Sequence, residues 1–424
     1  MRPTLGGAGT RPPLGGADRL PEERPAALPL KLLAAAGFLS SAGARIVDPL
    51  LAPIAKDFHA TVPQVSILIA AFVLPYGLNQ IILGPVGDRF GKLRVMLGAL
   101  IGYTVFTGAC SLSANLPALT VLRACAGASS AGLIPVCLAY IGDAVPYALR
   151  QETVSRFLTG VVLAQTLSGP IGGLFGDHVG WRGVFVLLAA CGAVVAASLA
   201  LRIRSLPDRR GVASFRRENY VAMAVTPFAR QLLIATVVEG ALLPGCFPFI
   251  APYLAQHFGL SYGVVGLILA AFGIGAFGYT LYARSLIAHL GESGQILLGG
   301  GLIAAVLVLG MTSPSWLVFI VVQAGIGLGY FALHTVMQAR ATELLPDARS
   351  TAVSTFVFLL FLGQAVGALG MGAAIAAFGY RTAFLGDAAG IILLTLWLAR
   401  FMHRTGQQAD GGDALVAKRS RQAP

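Results

Sequence analysis

Five charged residues stand inside stretches that are otherwise apolar, and they are the residues of this chain with chemistry to do. They are Arg45, Asp48, Arg123, Glu239 and Asp387. A charge inside an apolar span is costly and marks a partner, a water-filled cavity, or a path for protons or ligand. Arg45 and Asp48 are three residues apart and share a helix face. Burial favours the neutral acid of Asp48 and a neighbouring Arg45 or Arg123 favours its carboxylate, so a motion that changes the arginine contact would load and unload a proton. The competing reading is a fixed structural pair with Arg45. Glu239 falls about ten residues from one end of its apolar run, roughly 15 Å at 1.5 Å per residue, which is mid-span. A carboxylate there favours cationic or hydrogen-bond-donating ligands. Asp387 lies close enough to a span end to reach water, and His334, near the end of its run, reads as a hydrogen-bonded packing residue. Gln165 and Gln364 occupy matching places about 200 residues apart. They are expected to line one cavity from opposite sides, with helix–helix hydrogen bonds as the alternative.

The elements that position these groups follow from composition. Of 424 residues 56% are hydrophobic and only 11% charged, against about 25% charged in soluble domains. Apolar runs begin near residues 30, 65, 94, 117, 155, 182, 229, 262, 294, 315, 351 and 383, each about 20 to 26 residues and long enough to span a bilayer as a helix. The expectation is an all-α polytopic membrane protein of twelve transmembrane helices. The net charge of +12 does not imply nucleic acid, because the basic residues sit between apolar runs and not on one wet face. With the N-terminus inside, 25 of the 30 lysines and arginines fall in inner segments, leaving Lys56, Arg182 and Arg381 outside and Arg45 and Arg123 within spans. The positive-inside rule therefore places both termini in the cytoplasm. The five cysteines lie in apolar runs without disulfide or metal-ligand spacing and read as small core residues. No Walker-type phosphate loop, nucleophile elbow or metal-ligand cluster appears, so neither an enzyme nor an ATP-driven pump is expected, and no cofactor or metal.

The chain repeats itself. Pro49-x-x-Ala52-Pro53 with Phe58 recurs as Pro248-x-x-Ala251-Pro252 with Phe258, Gly180-Trp181-Arg182 recurs as Gly379-Tyr380-Arg381, and Arg150 matches Arg349. The offset is close to 200 residues, which implies two pseudo-symmetric six-helix halves, 28–203 and 228–404. A basic linker joins them over 204–227, and tails of 1–27 and 405–424 flank them, both expected to be disordered and cytoplasmic. Parallel halves of this kind place a substrate cavity at their interface near the midplane.

After the second run the sequence reads Gly84-Pro85-Val86-Gly87-Asp88-Arg89-Phe90-Gly91-Lys92-Leu93-Arg94. Glycine permits a very short turn between helix ends, and the basic residues anchor at lipid headgroups. This string resembles the signature loop of the major facilitator superfamily, and the resemblance extends over the whole twelve-helix span. It implies that Asp88 helps latch the cytoplasmic side against the start of the eleventh helix. Arg123 with Gly127 resembles the family's second motif, whose arginine is associated with proton-coupled members. Gly169, Pro170, Gly172 and Gly173 in the fifth helix make a small-residue packing face, with Gly273, Gly275 and Gly278 of the eighth as partner. The stretch resembles the antiporter motif of drug:proton exporters, but only Ile171 separates Gly169-Pro170 from Gly172-Gly173, where that motif has two residues. The resemblance implies a bacterial inner-membrane, proton-coupled efflux transporter, expected to be monomeric, whose partners are a small organic substrate, protons and the lipid bilayer. Uptake or facilitated diffusion stays open, and a non-transporting membrane sensor is a remoter alternative.

Overall fold

The computed structural model describes residues 29–206, 217–345 and 348–420, with the side chains of Gly84, Pro85, Asp88, Tyr147, Ala148, Arg217, Ser350 and residues 403–420 outside that description. The described residues form helices and connecting turns, with no strand among them. The first half comprises α1 (Leu30–Arg45), a 3-10 turn (Asp48–Leu50), α2 (Leu51–Asp57), α3 (Val62–Val65), α4 (Ile67–Phe90), α5 (Lys92–Cys110), α6 (Leu116–Ser130), α7 (Leu133–Ala144), α8 (Tyr147–His178) and α9 (Trp181–Arg202). The second half comprises α11 (Pro227–Leu242), a 3-10 turn (Phe247–Phe249), α12 (Ile250–Phe258), α13 (Tyr262–Thr312), α14 (Val318–Ala341) and α15 (Arg349–Ser420), preceded by the short linker helix α10 (Arg217–Val225).

Ten helical stretches are long and apolar enough to cross a membrane, and two of them, Tyr262–Thr312 and Thr351–Met402, have 51 and 52 residues. Each of these two bends once, at Gly291 and at Gly379. Their lengths suffice for two crossings apiece, since about 20 residues span the hydrocarbon. The chain is a multi-pass membrane protein.

The backbone carries the sequence repeat. Left-handed turn residues recur at the same offset: His59 and Gly259 (φ 52° and 65°), Gly91 and Gly291 (98° and 61°), Gly180 and Gly379 (85° and 76°). In each half the first span breaks where its proline stands. Pro49 sits in the 3-10 turn after α1, and Pro248 in the 3-10 turn after α11. Proline lacks the amide that would continue a helix ladder, so both halves interrupt their first span at equivalent depth.

Two faces result. One carries the Gly91 and Gly291 turns and will be called the Lys92 face; the other carries the Gly180 and Gly379 turns and will be called the Trp181 face. Helix starts on the Trp181 face are capped by side chains: Thr61 with Gln64, Asn115 on the Ala118 amide (2.9 Å), and Ser261 on the Val264 amide (3.4 Å). On the Lys92 face, Lys92 pairs with Asp143 at 2.6 Å, while the positions 200 residues on are bridged by Arg340, which holds Glu292 and Glu343 at 2.8 Å each.

Two expectations need correction. The fifth span was expected from about residue 155, but α8 starts at Tyr147. Its first turns are polar and exposed, and a Glu152–Arg156 pair at 2.6 Å, spaced i to i+4, extends the helix beyond its apolar run. Cys191 is exposed on α9 and is not a core residue, although Cys110, Cys137 and Cys246 are buried.

Candidate functional site

The halves meet through α8 against α13 and through α4 against the first segment of α15. At the first contact, a Cβ added to Gly173 would fall 2.0 Å from the Tyr262 carbonyl, and one added to Gly169 2.8 Å from the Gly266 carbonyl. Asp177 accepts hydrogen bonds from the Tyr262 and Gly263 amides, at 2.9 and 2.7 Å, at the start of α13. At the second contact, Ser66 reaches the Ala368 carbonyl (3.5 Å) and Tyr76 packs edge-on against Phe361 (4.8 Å). These contacts lie toward the Trp181 face, so the halves close there. The partner of the glycine face in α8 is the start of α13, from Tyr262 to Gly266, together with Gly273 against Thr166. Gly275, expected in that contact, packs instead on the Ala324 carbonyl of α14, and Gly172 packs on Pro49 within its own half.

Beside this contact a pocket between the halves is lined by Arg45, Asp48, Gln165, Ser168 and Gly169 on one side and by Phe247, Leu269, Phe272 and Gln323 on the other. Asp48 opens the 3-10 turn, and its carboxylate stands 3.5 Å from the Arg45 guanidinium. Arg123 lies on a different partner. It is fully enclosed, donates Nη1 to the Gly43 carbonyl of α1 at 2.8 Å and sits 4.2 Å over the Phe72 ring, while Nε and Nη2 have no acceptor. Gly43, which Arg123 holds, stands five residues before Asp48 in the same stretch of chain, and the guanidinium and the carboxylate are not paired with each other in this structure.

From the pocket an aromatic ladder runs into the second half: Phe247 and Phe272 flank Tyr330, at 6.4 and 6.3 Å, and Tyr330 stacks on His334 at 5.0 Å. His334 in turn meets Glu239, with Nδ1 and Oε1 2.8 Å apart. Glu239 is completely buried, and its Oε2 has no partner. His334 thus packs α14 on α11 through a hydrogen bond, and that bond orients the buried Glu239 carboxyl.

The expected symmetric pair of glutamines does not form. Gln165 lines the pocket, but Gln364 is buried where the first segment of α15 presses on the side-chain-free surfaces of Gly240 and Gly245 in and after α11. Glycine at those two positions lets the backbones approach so closely that the glutamine is held between helices. Gln323 occupies the role expected of Gln364. Asp387, expected to reach water, is 6% exposed.

In the signature loop, Gly91 makes the left-handed turn (φ 98°), Gly87 packs near Val136, Arg89 lies 5.3 Å over the Phe90 ring, Lys92 binds Asp143 and Arg94 is exposed. Gly84 lies within α4, and its surroundings and the Asp88 side chain, and with it the latch contact, lie outside the description. His334, Gln323, Asp143 and Asp177 were not singled out as functional in the sequence. Gln323 and His334 stand as polar residues within an apolar run, the same signal that marked Glu239. Asp177 and Asp143 sit at span ends, where solvated carboxylates are ordinary.

The family model for the Major Facilitator Superfamily matches residues 33–243 and again 232–419. The chain belongs to this superfamily. Among its curated relatives are the uncharacterized MFS-type transporter YceJ of Bacillus subtilis (strain 168), 25% identical over 86% of this chain and 93% of that protein, and the chloramphenicol resistance protein of Streptomyces lividans, 24% identical over 89% and 96%. Of solved structures, the bacterial homolog to the human lysosomal transporter Spinster, in its inward-facing and unoccupied conformation, superposes with a TM-score of 0.72 at 18% identity over 89% of this chain and 96% of that one. A D-xylose-proton symporter superposes at 0.70, with 14% identity over 88% and 97%. As a member of this superfamily, the chain puts Arg45 and Asp48 in the pocket where its two helical halves face one another.

Proposed function

We propose that this superfamily member exports small organic molecules in exchange for protons, by rocking residues 28–203 against 228–404 around the pocket between them. The observation that carries this reading is the pair of ionisable couples joined by one aromatic ladder, Arg45–Asp48 at the pocket and Glu239–His334 behind Phe247, Phe272 and Tyr330. The first couple supplies a carboxyl that gains and loses a proton as its arginine contact changes, with Arg123 as the alternative partner. The second supplies a carboxylate in an apolar, aromatic setting, which suits lipophilic substrates that are cationic or rich in donors. Relatives named for resistance to chloramphenicol and for resistance to and export of tetracenomycin C support the outward direction. The excess of Lys and Arg in the segments on the Lys92 side supports a reading with that face and both termini in the cytoplasm of a bacterial cell. The Trp181 face is then external, and the state with the halves closed there is open toward the cytoplasm. On this reading Asp88 latches the cytoplasmic side in the opposite state, and Asp88→Asn binds substrate but turns over slowly.

The test is reconstitution into liposomes with a panel of lipophilic cations, phenicols and neutral controls. With an acidic lumen and an alkaline bath, exchange with protons accumulates substrate inside. Accumulation only with the gradient reversed identifies a symporter, and accumulation with neither gradient rejects proton coupling.

A further inference from the structure

Asp387 lies on the second segment of α15, eight residues past the Gly379 bend, roughly 12 Å along the helix. It is 6% exposed, and neither carboxylate oxygen has a hydrogen-bond partner. Its own segment surrounds it with Phe384, Ala388 and Ile391, all buried. The other wall is the turn that ends α11. Leu243 leaves helical geometry there (φ −98°, ψ −82°), and Cys246, buried beside Asp387, gives its thiol hydrogen bond to the Ala241 carbonyl at 3.3 Å.

Among the described residues no cation answers this carboxylate. Of the elements packed on α15, α11 brings Glu239, which is held by His334 of α14, and the turn after it brings Cys246. The second segment of α13 brings Glu292 at the Lys92 face, held by Arg340 of α14, and α4 brings Arg89 there. The first segment of α15 brings Gln364, and Arg381, six residues before Asp387, lines a separate pocket on the Trp181 face with His257. An ionised carboxylate taken out of water with no cation beside it, and with the weak Cys246 thiol as its one neighbouring donor among the described residues, is not sustained, whereas the neutral acid is.

We propose that Asp387 carries a proton in this state, and that Asp387 with the broken turn Leu243–Cys246 forms a proton-binding site separate from Asp48 and Glu239. The turn supplies the means of release. Gly240 and Gly245 let the first segment of α15 press on it, to 2.2 Å between a Cβ built on Gly240 and the Leu360 carbonyl, so a displacement of that segment moves the wall that covers Asp387. A discontinuous helix beside a buried acidic group is how membrane transporters place cation sites at depth. The site stands on burial and chemistry alone, so it survives if the substrate or direction proposed above is wrong.

The test reads protonation without transport. Reconstituted protein is treated with the membrane-permeant dicyclohexylcarbodiimide, which reacts with protonated buried carboxyls, and the modified residues are mapped by mass spectrometry. In parallel, infrared spectra are recorded for the carboxylic-acid C=O band. Asp387 is expected to be modified at neutral pH in wild type and equally in the Asp48→Asn/Glu239→Gln double variant, with modification falling several-fold as the pH is raised. The band is expected to persist in the double variant and disappear on Asp387→Asn. Should that variant fail to fold, the wild-type modification map and the double variant's band decide. Protection of Asp387 by sodium at constant pH would replace the proton site with a metal-cation site and overturn the proposal. So would a double variant that lacks both the band and the modification.

Discussion

Glu239 Oε1 lies 2.8 Å from His334 Nδ1, across α11 and α14, while Oε2 of the same buried carboxylate has no partner. One oxygen is thus fixed and the other is idle. The imidazole sets the direction of the carboxylate, and stacking on Tyr330 sets the plane of the imidazole.

Replacing Glu239 by glutamine keeps the shape and removes the charge. A hydrogen bond to a charged group contributes about 1.5–3 kcal/mol, so Glu239→Gln is expected to weaken a cationic substrate by about ten- to a hundred-fold. A neutral substrate of similar size should change by less than about three-fold. Equilibrium binding in detergent or nanodiscs reads both, and an equal loss for the two classes would return Glu239 to a packing role.

His334 holds one oxygen of a carboxylate that has no water contact. His334→Phe preserves an aromatic partner for Tyr330 but leaves both oxygens of Glu239 idle, which is expected to cost about 1–3 kcal/mol of stability. Adding Glu239→Leu should recover much of it, because a buried polar group and its partner removed together cost less than either alone. Thermal unfolding of the single and double variants measures this, and a double variant no more stable than His334→Phe would show that the pair contributes no coupled stability.

Asp48 is expected to be the coupling carboxyl at the pocket. Asp48→Asn should abolish accumulation driven by an imposed pH gradient and leave energy-independent counterflow measurable. Arg123→Ala removes the alternative partner and should shift the pH dependence of substrate binding. If Asp48→Asn still accumulates substrate under the gradient, proton coupling lies elsewhere, and Glu239 is the next residue to test.

The helical class and the repeat of two halves were legible because they depend on run length and on proline, glycine and arginine motifs that recur about 200 residues apart, whereas the breaks at Pro49 and Pro248 emerged only in the structure. Pro49 and Pro248, Gly91 and Gly291, and Gly180 and Gly379 are all visible in the sequence as recurring residues. The site was legible only in part. Arg45, Asp48 and Gln165 meet at one pocket, since Arg45 and Asp48 share a helix turn. Gln364 and Asp387 went elsewhere because glycine partners at 240 and 245 and the turn around Cys246 decide their burial, and interhelical distance is not written in a single helix. Depth along a span is readable from residue count, but rotation about its axis is not. That is why Glu239 was placed at mid-span while its bond to His334 was missed.

The closure at the Trp181 face gives the last prediction. Between the halves, Gly173 and Asp177 act together. The glycine lets α8 meet the Tyr262 carbonyl, and the carboxylate accepts the Tyr262 and Gly263 amides at a helix start, where a negative charge is favoured. Asp177 is exposed, which limits its contribution to about 1–2 kcal/mol and its effect on the closed-to-open ratio to roughly five- to thirty-fold. Gly173→Ala puts a Cβ where 2.0 Å is free and drives the halves apart at that face. Gly275→Ala is equally crowded, 1.8 Å from the Ala324 carbonyl, but both of its helices belong to one half. Gly173→Ala, and Asp177→Asn, which removes the charge that the Tyr262 and Gly263 amides meet, should raise labelling of a Ser168→Cys probe by an impermeant maleimide from the Trp181 side, with an unchanged melting temperature. Gly275→Ala should lower the melting temperature and leave the labelling pattern alone. If Gly173→Ala and Gly275→Ala behave alike in both measurements, the α8–α13 contact is ordinary packing and not the closure on which alternating access turns.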